Sequence, residues 1–128
     1  MKLRLIASAT VACALSASPA MAYDYVTDVL IGNTVEVTDL GTNKTTTFKV
    51  KADKTVERTL DGKTVSGTWS TQPGKVCAVY PGENNGQPQC SDIPKEPVTV
   101  PGERMSELPN PKAGEAPIKL KIKYVKGQ

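Results

Sequence analysis

The chemistry open to this chain is limited first by a residue type it lacks. None of its 128 residues is histidine. That removes Ser-His-Asp triads, Cys-His pairs, imidazole acid–base catalysis and histidine metal ligands together. Ser-x-x-Lys is absent, and no Gly-rich phosphate loop opens a helix: Gly82 to Gly86 is rich in Asn and follows a strand-like run with no helical pattern after it. Asp and Glu are scattered along the chain, and no spacing singles out two of them for general acid–base work. The sequence is therefore read as non-catalytic and in need of no cofactor, with a carboxylate-dependent enzyme kept as the third functional expectation.

Of the three cysteines, Cys13 lies in an N-terminal segment with the marks of a leader, which leaves Cys77 and Cys90. An even pair in an exported protein reads most simply as one disulfide closing a short loop. Two cysteines without histidine make a poor zinc shell, and no Cys-x-x-Cys redox motif is present.

The candidate binding residues are Trp69, Arg58, Tyr80 and the lysine row Lys119, Lys121 and Lys123. Trp69, the single tryptophan, reads either as an aromatic anchor in a ligand cavity or as a core residue, and with six aromatics in the exported part core packing is favoured. Arg58 occupies an alternation shared with Val56 and Leu60, where an apolar residue is expected. It either pairs at the end of a barrel, points into a polar cavity, or marks a shift of strand register. Tyr80 ends the run from Lys75. The lysines suit an acidic partner or an anionic surface, or else form a solvated outer face that protects an edge strand. Asn43-Lys44-Thr45 matches a glycosylation acceptor and is assigned no function.

The elements that must position these residues begin after a secretory signal peptide, residues 1–22. Lys2 and Arg4 precede an apolar run of eleven residues, Leu5 to Leu15, then Pro19 and the small-x-small site Ala20-Met21-Ala22. The run is too short to span a bilayer, which takes about 20 apolar residues. Lipidation at Cys13 fits poorly, because Thr10-Val11-Ala12 precedes it and the apolar run continues past it. The exported domain, 23–128, keeps 14 Lys and Arg against 13 Asp and Glu once the two basic leader residues are removed, a net charge of +1. No nucleic-acid partner is expected from that balance, and no further run could serve as an integral membrane segment.

Within that single domain the pattern is antiparallel β. Val35 and Val37 alternate with Glu36 and Thr38, and a Gly41-Thr42-Asn43 turn leads to alternating Phe48, Val50 and Ala52. Thr55 to Leu60 is followed by Asp61-Gly62, the strongest hairpin signal in the chain. The strand Thr64 to Ser70 puts Val65, Gly67 and Trp69 on one face. Pro73-Gly74 turns into Lys75–Tyr80, a polar loop covers 81–87, and Cys90 lies on a short strand. Asp24 to Ile31 is the one helical candidate, ended by Gly32. From 94 to 117 prolines recur, so Gly102 to Ala116 is expected to be an irregular surface loop. Residues 118–126 alternate cleanly and are expected to be a strand. A small antiparallel barrel or sandwich, a lipocalin-like meander with one disulfide, accounts for these spacings.

Leu30-Ile31-Gly32-Asn33-Thr34-Val35, Gly67-Thr68-Trp69, Gly74-Lys75-Val76-Cys77 and Cys90 resemble small periplasmic proteins of uncharacterised proteobacterial families. More loosely, this set resembles the lipocalin-like periplasmic metalloprotease inhibitors, compact barrels with one disulfide and a Gly-x-Trp strand. The inhibitors carry their Trp early in the mature chain, whereas Trp69 comes mid-chain, and the cysteine spacing here is shorter. The expectation is a periplasmic or secreted bacterial binding module for an envelope protein, glycan or small ligand. An inhibitor of an exported hydrolase is the alternative, touching its target through a flexible Tyr23-Asp24-Tyr25 or the 81–87 loop.

Overall fold

The computed structural model describes residues 24–128; the leader assigned to 1–22, its cleavage site and Cys13 lie outside the described residues. The described residues open on a single π-helical turn, Tyr25–Leu30, capped by the Asp24 carboxylate, which accepts from the Val26 amide at 3.0 Å. It ends at Ile31, whose backbone is extended, and Gly32 follows at φ +80° with its amide donating to the Val50 carbonyl. Eight strands follow: β1 (Thr34–Asp39), β2 (Lys44–Val50), β3 (Thr55–Leu60), β4 (Lys63–Gln72), β5 (Lys75–Val79), β6 (Gln89–Asp92), β7 (Gly102–Leu108) and β8 (Ile118–Val125). They form one antiparallel sheet in the order β6-β5-β4-β3-β2-β1-β8-β7, curled into a half-barrel. No helix among the described residues is long and apolar enough to cross a membrane.

The turns arise where the residue types demand them. Asp61 and Gly62 take φ +51° and +75°, the two positive values of a type I′ turn, and so set the β3–β4 register Leu60↔Lys63. Pro73 with Gly74 at φ +72° joins β4 to β5 with Gln72 opposite Lys75. Asn43 adopts φ +58° at the end of the β1–β2 turn, where the Asp39 carboxylate accepts from the Gly41 amide at 2.8 Å.

Alternation then decides what is buried. Val35, Val50, Val56, Trp69, Tyr80, Ile122 and Tyr124 share one core with Tyr25, Val26, Val29 and Leu30 of the opening turn. Burying each large apolar side chain contributes roughly 1.5–3 kcal/mol. Gly67 is buried for a steric reason: a Cβ there would collide with the Val79 carbonyl and lie 2.8 Å from the Tyr80 ring. The two free edges, β6 and β7, are consecutive in sequence, and residues 93–101 run between them, packing Ile93, Val98 and Val100 against the core.

One expectation is corrected. Residues 102–116 are not an irregular loop throughout, because Gly102–Leu108 is β7, paired with β8 from Gly102↔Tyr124 to Leu108↔Ile118. Pro101 and Pro109 bracket this strand and do not interrupt it. Its period-2 signal is concealed because the less exposed positions, 102, 104 and 106, are Gly, Arg and Ser. β8 is therefore an inner strand between β1 and β7, and its lysines do not guard an edge.

Candidate functional site

The concave side of the half-barrel holds a half-open cavity of about 240 Å³. Its walls are mostly aliphatic and aromatic, and three charged side chains border it: Arg58, Asp92 and Arg104.

Arg58 faces inward from β3, level with Phe48 of β2 and Val65 of β4, so the break in the alternation is a genuine inward charge and not a shift of register. The 81–87 loop folds back through a bond from the Glu83 amide to the Tyr80 carbonyl, 3.1 Å. This returns the Glu83 carboxylate to Arg58, whose Nη2 lies 2.7 Å from both carboxylate oxygens. The Arg58 side chain is 19% exposed, so this pair is sheltered more than an ordinary surface bridge. Its guanidinium also stacks over the Tyr80 ring at 4.2 Å. Tyr80 is buried, and its hydroxyl has no hydrogen-bond partner among the described residues. Burial pushes its phenol above the usual range.

Trp69 is a wall residue as well as a core residue. Its indole N–H donates to the Lys51 carbonyl at 2.7 Å, its amide donates to the Lys54 carbonyl at 2.9 Å, and the Lys54 ammonium lies 4.1 Å above the ring. The β2–β3 turn is thus clamped onto the indole.

A second polar group lies where β7, β8 and the opening turn meet. Arg104 Nε donates to the Tyr124 hydroxyl at 2.8 Å, and that hydroxyl lies 2.8 Å from the Tyr25 hydroxyl. The two rings meet edge-to-face with centroids 6.2 Å apart. Tyr124 is fully buried. Burial, reinforced by the bond with Tyr124, pushes the Tyr25 phenol far above its ordinary value of 10.0, so it stays protonated. Burial works against the Arg104 charge, but the bonds to the phenols outweigh it and hold the guanidinium protonated.

The expected site residues thus fall into two groups. Trp69, Arg58 and Tyr80 come together on one cavity. Lys119, Lys121 and Lys123 do not join them. They lie exposed on the convex face, opposite Glu103 and Glu107 of β7, and Lys123 also faces Glu36 of β1. Lys121 and Glu103 are 3.6 Å apart, so neighbouring strands neutralise the row. Cys77 and Cys90 face each other across β5 and β6 and are joined at 2.03 Å. The N-terminal arm imagined for an inhibitor is corrected at Tyr25, which is buried and tied to Tyr124 instead of extending into solvent.

Arg104 and Tyr124 were missed by sequence reasoning, and Tyr25 was expected only as part of a flexible contacting arm. The available signal was a tyrosine closing the inward row Ile118, Leu120 and Ile122. No group of three Cys, Asp or Glu side chains among the described residues is placed to hold a metal ion. Comparison of the chain with protein-family models, with curated proteins and with solved structures finds no match.

Proposed function

We propose that this protein is a non-catalytic binding module of the bacterial envelope, exported by its leader, whose ligand is a small and mainly apolar molecule held in the concave side of the half-barrel. The observation that carries this reading is the 240 Å³ cavity with its aliphatic and aromatic walls, Trp69 and Tyr80 among them. A filled interior would have favoured a protein partner instead. The volume corresponds to about eight water-sized spaces, at roughly 30 Å³ each. It sits just under the roughly 300–1,000 Å³ of drug-sized pockets, which points to a ligand of modest size. The apolar wall supplies affinity through burial, and the few polar groups orient the ligand.

Trp69 lines the cavity and is the single tryptophan, so its emission reports occupancy. Titrating the disulfide-bonded domain with eight-carbon alkyl probes bearing neutral, anionic and cationic heads should give a saturable change with at least one of them. No saturable change with any probe would overturn the small-ligand reading.

A further inference from the structure

Resting on that reading, we propose that Arg104, together with the Tyr25–Tyr124 phenol pair, is the anchor for a monoanionic headgroup, so that the ligand is a short amphiphilic carboxylate with its alkyl part in the cavity.

The argument starts from charge. Of the charged side chains on the cavity, Arg58 is neutralised by Glu83 at 2.7 Å. Asp92, exposed at the rim, is paired with Lys75 at 3.2 Å. Arg104 has no carboxylate within 4.0 Å among the described residues, and its hydrogen-bond partners are the phenols of Tyr124 and Tyr25. A half-buried cation without a counter-ion is unfavourable in an apolar wall, and an anionic guest would remove that deficit.

Counting protons gives the same answer. Tyr124 accepts the Nε–H of Arg104. Between the two phenols one hydrogen bond is made, and either oxygen can be its donor. If Tyr124 donates to Tyr25, the Tyr25 proton is left over; if Tyr25 donates, the Tyr124 proton is left over. Either way one O–H of the pair is left without an acceptor among the described residues, and the five N–H donors of Arg104 face only the two phenol oxygens. The cluster is a set of donors in excess, as a receptor for an oxyanion requires. Burial keeps the Tyr25 phenol protonated, so it does not supply the missing negative charge itself.

Shape and charge then choose among anions. Nε is given to Tyr124, so the guanidinium meets a guest with its terminal pair of nitrogens, whose fork matches the two oxygens of a carboxylate. One cation balances one negative charge, and a doubly charged phosphate monoester would leave an excess in a low-dielectric wall. Arg104 also borders the groove beneath residues 94–99, so the headgroup meets solvent on that side while the chain points inward.

The test compares octanoate, 1-octanol and octylamine on the intact disulfide-bonded domain, read by Trp69 emission and isothermal titration calorimetry. The expected order is octanoate at least tenfold tighter than octanol, with octylamine weakest. Arg104→Met should bring octanoate and octanol to equal affinity, and Arg104→Lys should restore part of the preference. Should Arg104→Met not fold, the wild-type ratio measured at low and high salt decides the matter, the preference shrinking as salt rises. Equal binding of octanoate and octanol by the wild type would overturn the anchor while leaving the binding-module reading intact. Absence of binding by all three would overturn both.

Discussion

Replacing Tyr80 by Phe removes one oxygen atom and, on the geometry described here, makes the protein more stable. The hydroxyl is buried and has no partner among the described residues. A buried polar group left unpaired costs roughly 1–3 kcal/mol relative to its paired state. The ring does its structural work without the hydroxyl: it lies against Gly67, and it carries the Arg58 guanidinium at 4.2 Å, a contact that Phe can also make. Taking the lower part of the range, Tyr80→Phe should gain about 1 kcal/mol, raising the thermal midpoint by about 4–8 °C for a domain of this size. Scanning calorimetry on the ligand-free, disulfide-bonded domain measures this directly. If Tyr80 orients a ligand, the same variant should bind its best eight-carbon probe more weakly, so stability and affinity move in opposite directions. A midpoint that is unchanged or lower would show that the hydroxyl already has a partner, and the argument from an unpaired donor would fail.

Three further outcomes are expected. Gly67→Ala forces a Cβ into the Val79 carbonyl and the Tyr80 ring, and should cost about 2 kcal/mol, lowering the urea midpoint by about 1 M at a slope of about 2 kcal/mol/M; an unchanged midpoint would refute the close approach. Replacing both Cys77 and Cys90 by Ala opens a 13-residue link and should remove about 3 kcal/mol, with reduction of the wild type giving a similar loss in urea melts. Asp24 caps the opening turn, and its hydrogen bonds with the Thr27 side chain and amide hold its carboxyl below the ordinary 3.8. A group whose folded pKa is depressed stabilises above its unfolded value and stops doing so as pH falls through the folded one. The difference in thermal midpoint between wild type and Asp24→Ala should therefore be constant from neutral pH down to about pH 5 and shrink below 3.8. A difference that persists at pH 2 would argue against the cap.

How much of this was legible in the sequence depended on whether the deciding contact was local. The hairpins were, because Asp61-Gly62, Pro73-Gly74 and Asn43 fix turn geometry within a few residues and Val and Thr alternate on either side. Cys77 and Cys90 could be paired by elimination. Arg58 announced itself by breaking an apolar row, but its partner Glu83 is 25 residues away and reaches it only because the 81–87 loop doubles back. β7 was hidden because an inward face of Gly102, Arg104 and Ser106 carries no hydrophobic period. The Arg104–Tyr124–Tyr25 cluster had one local mark, Tyr124 closing the inward row of β8, and nothing local that joined it to the other two. Tyr25 and Tyr124 are 99 residues apart, and their meeting depends on β8 docking beside β1.

That docking gives the last strand an office beyond closing a sheet. Among the described residues β8 alone pairs with β7, and it covers the side of β1 that β2 leaves open. It also carries Tyr124, without which Arg104 loses its acceptor and Tyr25 its partner. A polypeptide released before residue 118 would leave one flank of β1 bare, β7 without its partner, and the polar cluster without Tyr124. Bare strand edges recruit other chains. On the proposed binding reading, a product lacking β8 bares the β1 edge by the same defect that removes Tyr124 from the anchor.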